Sequence, residues 1–405
     1  MNITAKPEEV GLSTTRLNRI RPWLRSYIDS GKLPGAIVLV ARQGRVAFVH
    51  TDGNRDIERD QLMTADTIFR IYSMTKPITS VAVMMLYERG EFQLDHPIAD
   101  YIPELGGLDV FVGGSGDDVR TEPARRPITI HHLLTHTSGL TYSVFSDSAL
   151  GQLYRDHRTD FALDDGPLRE VVGRLAGLPL AFQPGTRWNY GVSTDVLGRL
   201  VEVISGQPLD EFFSEQILSP LAMHDSSFTI TPDRLDRLAA LYGYADGDRM
   251  SLLENTESTR LLDKVSTFSG GAGLLSTMAD YYRFTEMLRG KGELDGVRLL
   301  GRKTVDYMTT NHLPGDLASM GQPVFSETRY DGIGFGLGFS VMLDPAQAQV
   351  IGTPGEYAWG GMASTAFWVD PAEDMVVILL TQLMPSSSYP LRRELRVLTY
   401  QALIE

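Results

Sequence analysis

Phe69-Arg70-Ile71-Tyr72-Ser73-Met74-Thr75-Lys76 runs straight into Pro77 and the apolar residues 78–86, which end shortly before Gly90. The spacing predicts a helix from near Ser73 to Glu88. Pro77 falls in its first turn, where a missing N–H costs nothing. Residues three apart on a helix share a face, about 5–6 Å between Cβ atoms, so the Lys76 amine can reach the Ser73 hydroxyl. An ordinary lysine amine titrates near 10.4 and is a poor base at neutral pH, but burial and nearby positive potential favour its neutral form. A helix N-terminus supplies such potential together with free N–H groups. That is the chemistry of an activated serine nucleophile. The tetrapeptide alone is weak, and its plain alternative is a capping serine beside a solvated lysine. Two features favour chemistry: this is the only Ser-x-x-Lys in the chain, and a lysine at the root of a buried helix needs a reason.

Upstream, Ser13 is placed to cap a helix through about residue 28, with Leu17, Ile20, Trp23, Leu24 and Ile28 on one face. The apolar runs 36–41 and 46–50 flank Gln43-Gly44 and read as a hairpin. Downstream, residues 95–300 read mainly as helices and loops. Residues 106–127 are rich in Gly, Asp and Arg and read as a long mobile loop. Helical patterns recur at 130–135, 193–204, 208–218 and 279–288. Strand character returns at 335–343, 364–369 and 375–381, the last apolar enough for a central strand. Pro390 opens a final helix to about residue 404. This layout predicts an α+β fold: an antiparallel sheet built from both ends of the chain, flanked by helices, with an inserted helical lobe. The expected partition is a discontinuous sheet domain, 1–68 with 310–405, and a mainly helical lobe, 69–309. The site is expected in the cleft between them.

The net charge of −14 over 405 residues disfavours nucleic acid and anionic membranes as partners and suits small neutral or weakly charged substrates. With no cysteine, disulfides, thiol nucleophiles and thiolate metal sites are excluded. The polar start of the chain has no secretory pattern, and no apolar run is long enough to span a bilayer, so a cytoplasmic protein is expected. The oligomeric state is not legible.

Two further segments carry candidate chemistry. Trp188-Asn189-Tyr190-Gly191-Val192-Ser193 follows Pro184-Gly185 and precedes a predicted helix, so its tyrosine can present a phenol as a proton shuttle. The alternative is an aromatic plug against the core. Trp359-Gly360-Gly361-Met362 precedes a strand. Paired glycines there let a backbone approach a ligand, and an N–H from this segment can join that of Ser73 as an oxyanion hole. The alternative is a plain turn.

The order Ser-x-x-Lys, Tyr after a Pro-Gly loop, then Trp-Gly-Gly before a strand resembles the class C β-lactamase-like serine hydrolases, and within them the family VIII carboxylesterases. Phe69-Arg70-Ile71-Tyr72, Leu133-Leu134-Thr135-His136-Thr137-Ser138-Gly139-Leu140, Pro220-Leu221-Ala222-Met223 and Gly271-Ala272-Gly273-Leu274-Leu275-Ser276-Thr277 agree, and the likeness runs from about residue 8 to 400. The resemblance implies Ser73 as the acylated nucleophile, Lys76 and Tyr190 sharing its proton, and the N–H groups of Ser73 and Met362 holding the oxyanion. It implies a substrate pocket at Tyr72, Val192, Trp359, Gly360 and Gly361, a small-molecule ester as substrate, and no cofactor. Two departures matter. Val192 stands where the β-lactamases carry the Asn of Tyr-x-Asn, and Trp359-Gly360-Gly361 stands where they carry Lys-Thr-Gly. Both changes favour esters.

Other motifs are decoys. His132 and His136 are spaced i, i+4 beside His131, but no glutamate follows His132 and no third ligand is evident, so no metal is expected. Gly113-Gly114-Ser115-Gly116 lacks the Lys-Ser/Thr of a phosphate loop. Lys303-Thr304 is followed by Val305, not Gly. No Gly-x-Ser-x-Gly occurs, which argues against an α/β-hydrolase. Besides an esterase, the sequence leaves open an acyltransferase on the same scaffold, a β-lactamase or peptidase, and an inactive binding protein of this fold.

Overall fold

The computed structural model describes residues 2–145, 148–245, 249–262, 265–325 and 328–404. Its centre is an eight-stranded antiparallel sheet. From edge to edge the strands are Ile333–Phe335, Ser340–Met342, Tyr357–Gly360, Ala366–Asp370, Met375–Thr381, Gly35–Arg42, Arg45–Asp56 and Gln61–Leu62. The two ends of the chain meet at its middle, where Ala36 pairs with Thr381 and Arg42 with Met375. The predicted hairpin is present. Gln43 and Gly44 both take positive φ, 55° and 70°, as a two-residue turn between twisted strands requires.

Both faces of the central strands are buried, so they read as unbroken apolar runs, and the period of two decides which side chain joins which core. Ile37, Leu39, Val376, Ile378 and Leu380 join the core shared with the helical part of the chain. Val38, Val40, Val377, Leu379 and Trp368 join a second core under the helices Ile20–Asp29 and Leu391–Tyr400.

The helix Thr75–Glu88 lies in the first core, and every residue from Thr75 to Leu86 is buried. A helix covered on all sides needs partners all round. One is the helix Ser193–Ser205, which is brought close by small residues. A Cβ on Gly270 would lie 3.2 Å from Thr79 Cγ2 and 2.9 Å from the Thr194 carbonyl, so the backbone of residues 269–271 threads between the two helices.

Four expectations are corrected. The first helix breaks into Thr14–Leu17, capped by Ser13, and Ile20–Asp29. Pro22 has no N–H for the Asn18 carbonyl, and its ring crowds that carbonyl. The segment 106–127 is not a structureless loop, because Asp109–Gly113 pairs with Arg120–Pro123 as a ribbon. The run 335–343 is two strands joined by a turn at Gly336–Phe339, not one. The pattern 208–218 is a short helix, Leu209–Phe213, that widens into a π turn at Ser214–Leu218.

Candidate active site

Ser73 lies in a single 3-10 turn, Tyr72–Met74, at the mouth of the buried helix. Tyr72 holds φ at 44°, a left-handed conformation that costs a non-glycine residue about 1–3 kcal/mol. The surroundings hold the turn in place. Ile71 N–H donates to the Leu274 carbonyl (3.1 Å), Arg70 N–H to Gln382 Oε1 (3.1 Å), and the Tyr281 hydroxyl to the Met74 carbonyl (3.0 Å).

Lys76, one helical turn on, is 2% exposed. Its Nζ lies 3.3 Å from Ser73 Oγ, 2.8 Å from the Gly271 carbonyl oxygen and 3.1 Å from the Tyr142 hydroxyl. It also sits 4.6 Å from the centre of the Tyr190 ring. The Tyr190 loop is held from both sides. Asn189 N–H donates to the His136 carbonyl (2.9 Å) and Trp188 N–H to the Met320 carbonyl (2.9 Å). Gly191 passes so close to residue 140 that a Cβ would lie 2.4 Å from the Leu140 carbonyl oxygen.

The opposite wall is the strand Tyr357–Gly360 and the turn after it. A Cβ on Gly361 would lie 2.4 Å from the Ile71 carbonyl oxygen and 2.3 Å from Thr365 Oγ1. Only glycine lets this edge close on the backbone that carries Ser73. A Cβ on Gly360 would meet the Arg392 guanidinium at 2.5 Å. Ser73, Tyr190, Trp359, Gly360, Gly361 and Met362 together line one cavity of about 410 Å³. Two residues expected there do not line it. Val192 is fully buried in the apolar core at the start of the helix Ser193–Ser205, and Tyr72, with its left-handed backbone, lies outside the cavity lining.

Two residues at the site were not singled out from the sequence. The Tyr142 hydroxyl donates to Asp195 Oδ2 (3.5 Å), while Asp195 Oδ1 accepts from Ser269 Oγ (2.5 Å) and from Gly271 N–H (3.0 Å). Burial raises the Asp195 carboxyl above its ordinary range, and Lys76 and the hydrogen bonds offset only part of that rise. Burial also pushes the Tyr142 phenol well up, with Asp195 adding to it. A signal existed for Asp195: it sits among Val196, Leu197, Leu200 and Val201 on a predicted core helix, where a carboxylate has to be explained. Tyr142 follows the Leu133–Leu140 motif by two residues, with nothing in its own spacing to mark it.

The histidines serve other ends. The helix Ile130–Leu134 stops before His136, so His132 and His136 do not share a helical face. His132 Nδ1 accepts from Thr129 N–H (3.1 Å) at the helix start. His136 takes φ 54° and packs its ring against Trp188, Tyr190 and Phe335. Burial, and then the charge of Lys76, drive its imidazole well toward the neutral form. Among the described residues, no group of three His, Cys, Asp or Glu side chains is placed to hold a metal.

Comparison with known proteins bears on the family and the fold. The beta-lactamase family model matches residues 20–401. Protein Rv1367c of Mycobacterium tuberculosis is 37% identical over 372 residues, 90% of either chain. Esterase EstB of Burkholderia gladioli is 34% identical over 371 residues, 86% of either chain. The solved structure of EstCE1, described as a hydrolase with promiscuous acyltransferase activity, superposes with a TM-score of 0.80 at 28% identity, covering 95% of this chain and 99% of its own. The chain therefore belongs to the beta-lactamase family of serine hydrolases, in the carboxylesterase branch that its motifs resemble.

Proposed function

We propose that the protein is a serine carboxylesterase that hydrolyses short-chain esters of small molecules through an acyl-enzyme on Ser73. The observation that carries this reading is the buried Lys76 amine, 3.3 Å from Ser73 Oγ, at a cavity walled by Tyr190 and Trp359. As Ser73 Oγ attacks the ester carbon, its proton passes to the Lys76–Tyr190 pair and the carbonyl π electrons move to oxygen. The N–H groups of Ser73 and Met362 receive that oxyanion. Its collapse breaks the bond to the alcohol oxygen, which leaves with the stored proton. Water then repeats the sequence on the acyl-enzyme, releasing the acid and restoring the serine. On this reading the cavity lies between a sheet unit, residues 1–68 and 310–405, and a helical unit, residues 69–309.

The sheet wall supports esters over β-lactams. Trp359 offers no cation for a carboxylate, the adjacent Arg392 guanidinium is engaged by the Gly361 and Thr365 carbonyls, and Val192, buried in the core, offers no amide. A second reading, acyl transfer to an alcohol instead of water, is supported by the description of EstCE1. The test is a panel of nitrophenyl esters of increasing chain length beside nitrocefin, with and without an acceptor alcohol. It is coupled to organophosphonate labelling mapped by mass spectrometry. Short esters are expected to turn over with an initial burst, nitrocefin poorly, and the label is expected on Ser73. A label elsewhere with activity lost removes Ser73 from the mechanism. Nitrocefin equal to the ester makes β-lactamase the better description, and absence of any burst or turnover favours a binding protein.

A further inference from the structure

A lysine amine acting as a base has two N–H donors and one lone pair, and among the described residues Lys76 Nζ has hydrogen-bond contacts with Ser73 Oγ, the Gly271 carbonyl and the Tyr142 hydroxyl. For the amine to act as a base on Ser73, the lone pair must face Ser73 and both N–H groups must go elsewhere. The Gly271 carbonyl only accepts, so it takes one. The Tyr142 hydroxyl can either accept or donate. Asp195 biases this choice, because its carboxylate only accepts and lies within reach of the phenol proton. With the phenol proton committed to Asp195 Oδ2, the Tyr142 oxygen is left to accept from Lys76.

We infer that Asp195 is a positioning residue that fixes the direction of the hydrogen bonds around Lys76, reserving the amine's lone pair for the Ser73 proton. The inference rests on the roles proposed above for Ser73 and Lys76. Two further observations support it. Asp195 is 1% exposed and reaches Lys76 by a second arm, because its Oδ1 binds the N–H of Gly271, whose carbonyl binds Nζ. The space is built for this contact: a Cβ on Gly271 would lie 2.4 Å from Asp195 Oδ2 and 3.0 Å from Oδ1.

Asp195→Asn separates this role from a structural one. The Gly271 N–H can only donate, so it pins the new amide oxygen at the Oδ1 position. The amide NH₂ then replaces Oδ2 and donates to Tyr142. The phenol proton is forced round onto the Lys76 lone pair and competes with Ser73. An anchor for residues 269–271 would survive this exchange; the hydrogen-bond direction would not.

The experiment measures kcat and KM on a short-chain nitrophenyl ester for the wild type, Asp195→Asn, Tyr142→Phe and the double variant. Asp195→Asn is expected to lose kcat by about 10²-fold, the lower end of what general-base assistance is worth, with KM little changed. Tyr142→Phe removes the misdirected proton, so the double variant is expected to regain about tenfold over Asp195→Asn alone. Asp195→Asn within about twofold of wild type, or a double variant no better than Asp195→Asn, overturns the inference. If circular dichroism shows Asp195→Asn unfolded, Tyr142→Phe decides alone: a loss of about tenfold in kcat is expected, and full activity overturns the inference. Organophosphonate labelling of the wild type tells the two readings apart. Without a label on Ser73 the proposed function fails first; with one, only the role of Asp195 is at stake.

Discussion

The two walls of the cavity are built on opposite principles. On the helix side, Lys76 is buried among Tyr142, Asp195, Ser269 and Gly271, and their hydrogen bonds connect into one network. On the sheet side, Trp359, Gly360 and Gly361 present an indole and bare backbone, and Trp359 Nε1 is buried with no hydrogen-bond partner among the described residues. A closed polar network in a low-dielectric core tolerates little change, since each lost partner leaves a buried group unpaired. The side chains of the sheet wall form no comparable network with the reacting groups; Arg392 beside them donates to the Gly361 and Thr365 carbonyls (3.1 Å each). On the proposed function, the contrast assigns bond making to the helix side and the choice of substrate to the sheet side.

That contrast can be broken most sharply from the helix side. Lys76→Ala and Tyr190→Phe are each expected to lower kcat by about 10²–10⁴-fold with little change in KM. The double variant should be little worse than either single, because groups acting as a unit are not additive. Steady-state kinetics on a nitrophenyl ester check this, and near-normal turnover in either single variant removes that residue from the reaction. On the sheet side the expected effect is on selectivity. Trp359→Lys supplies a cation for a β-lactam carboxylate and should raise the nitrocefin-to-ester ratio of kcat/KM by roughly tenfold to hundredfold, the equivalent of about 1–3 kcal/mol. An unchanged ratio would mean that this wall does not select the substrate.

Gly361→Ala probes where the walls meet. The Ile71 carbonyl cannot yield without moving the Ser73 turn, so a loss of about 1–3 kcal/mol in stability is expected, with a fall in kcat. Urea unfolding and kinetics on one preparation check it, and an unaltered protein denies the close approach. The smallest effect lies away from both walls. Burial, then repulsion from His312, lowers His131 to about 4, and burial with His131 and Arg126 lowers His132 to about 4. Folded values below the unfolded 6.5 mean that this stability is present above pH 6.5 and is lost as pH falls toward 4. Tm should decline across that window, and His131→Gln should decline less; identical slopes in the two proteins would remove His131 as a contributor.

Much of this was legible in the sequence, for reasons that are local. Ser73 and Lys76 share a face because three residues make nearly one helical turn. The hairpin at Gln43-Gly44 and the strand Met375–Thr381 follow from apolar runs and turn residues. The corrections arise where a local pattern was ambiguous. Residues 335–343 carry enough apolar side chains for one strand, and nothing in the pattern shows the turn at Gly336–Phe339. Residues 106–127 look too polar to order, yet Asp109–Gly113 gains a partner strand fourteen residues away at its far end. Val192 occupies a motif position that suggests a pocket, but burial in the core decides its role instead.

The sequence by itself determined the chemical elements of the protein: a serine and a lysine three residues apart at the mouth of a buried helix, a tyrosine on a tight loop, two glycines before a strand, and a sheet drawn from both ends of the chain. Only the tertiary structure decided which distant groups complete the site. Tyr142 lies 66 residues from Lys76 and Gly271 lies 195 from it, and Asp195 joins them from a different helix. Helical and strand periodicities fix neighbours within a few residues, because backbone geometry repeats over that range. Contacts across such separations are set by how the cores pack, and a chain read in order carries no record of that packing.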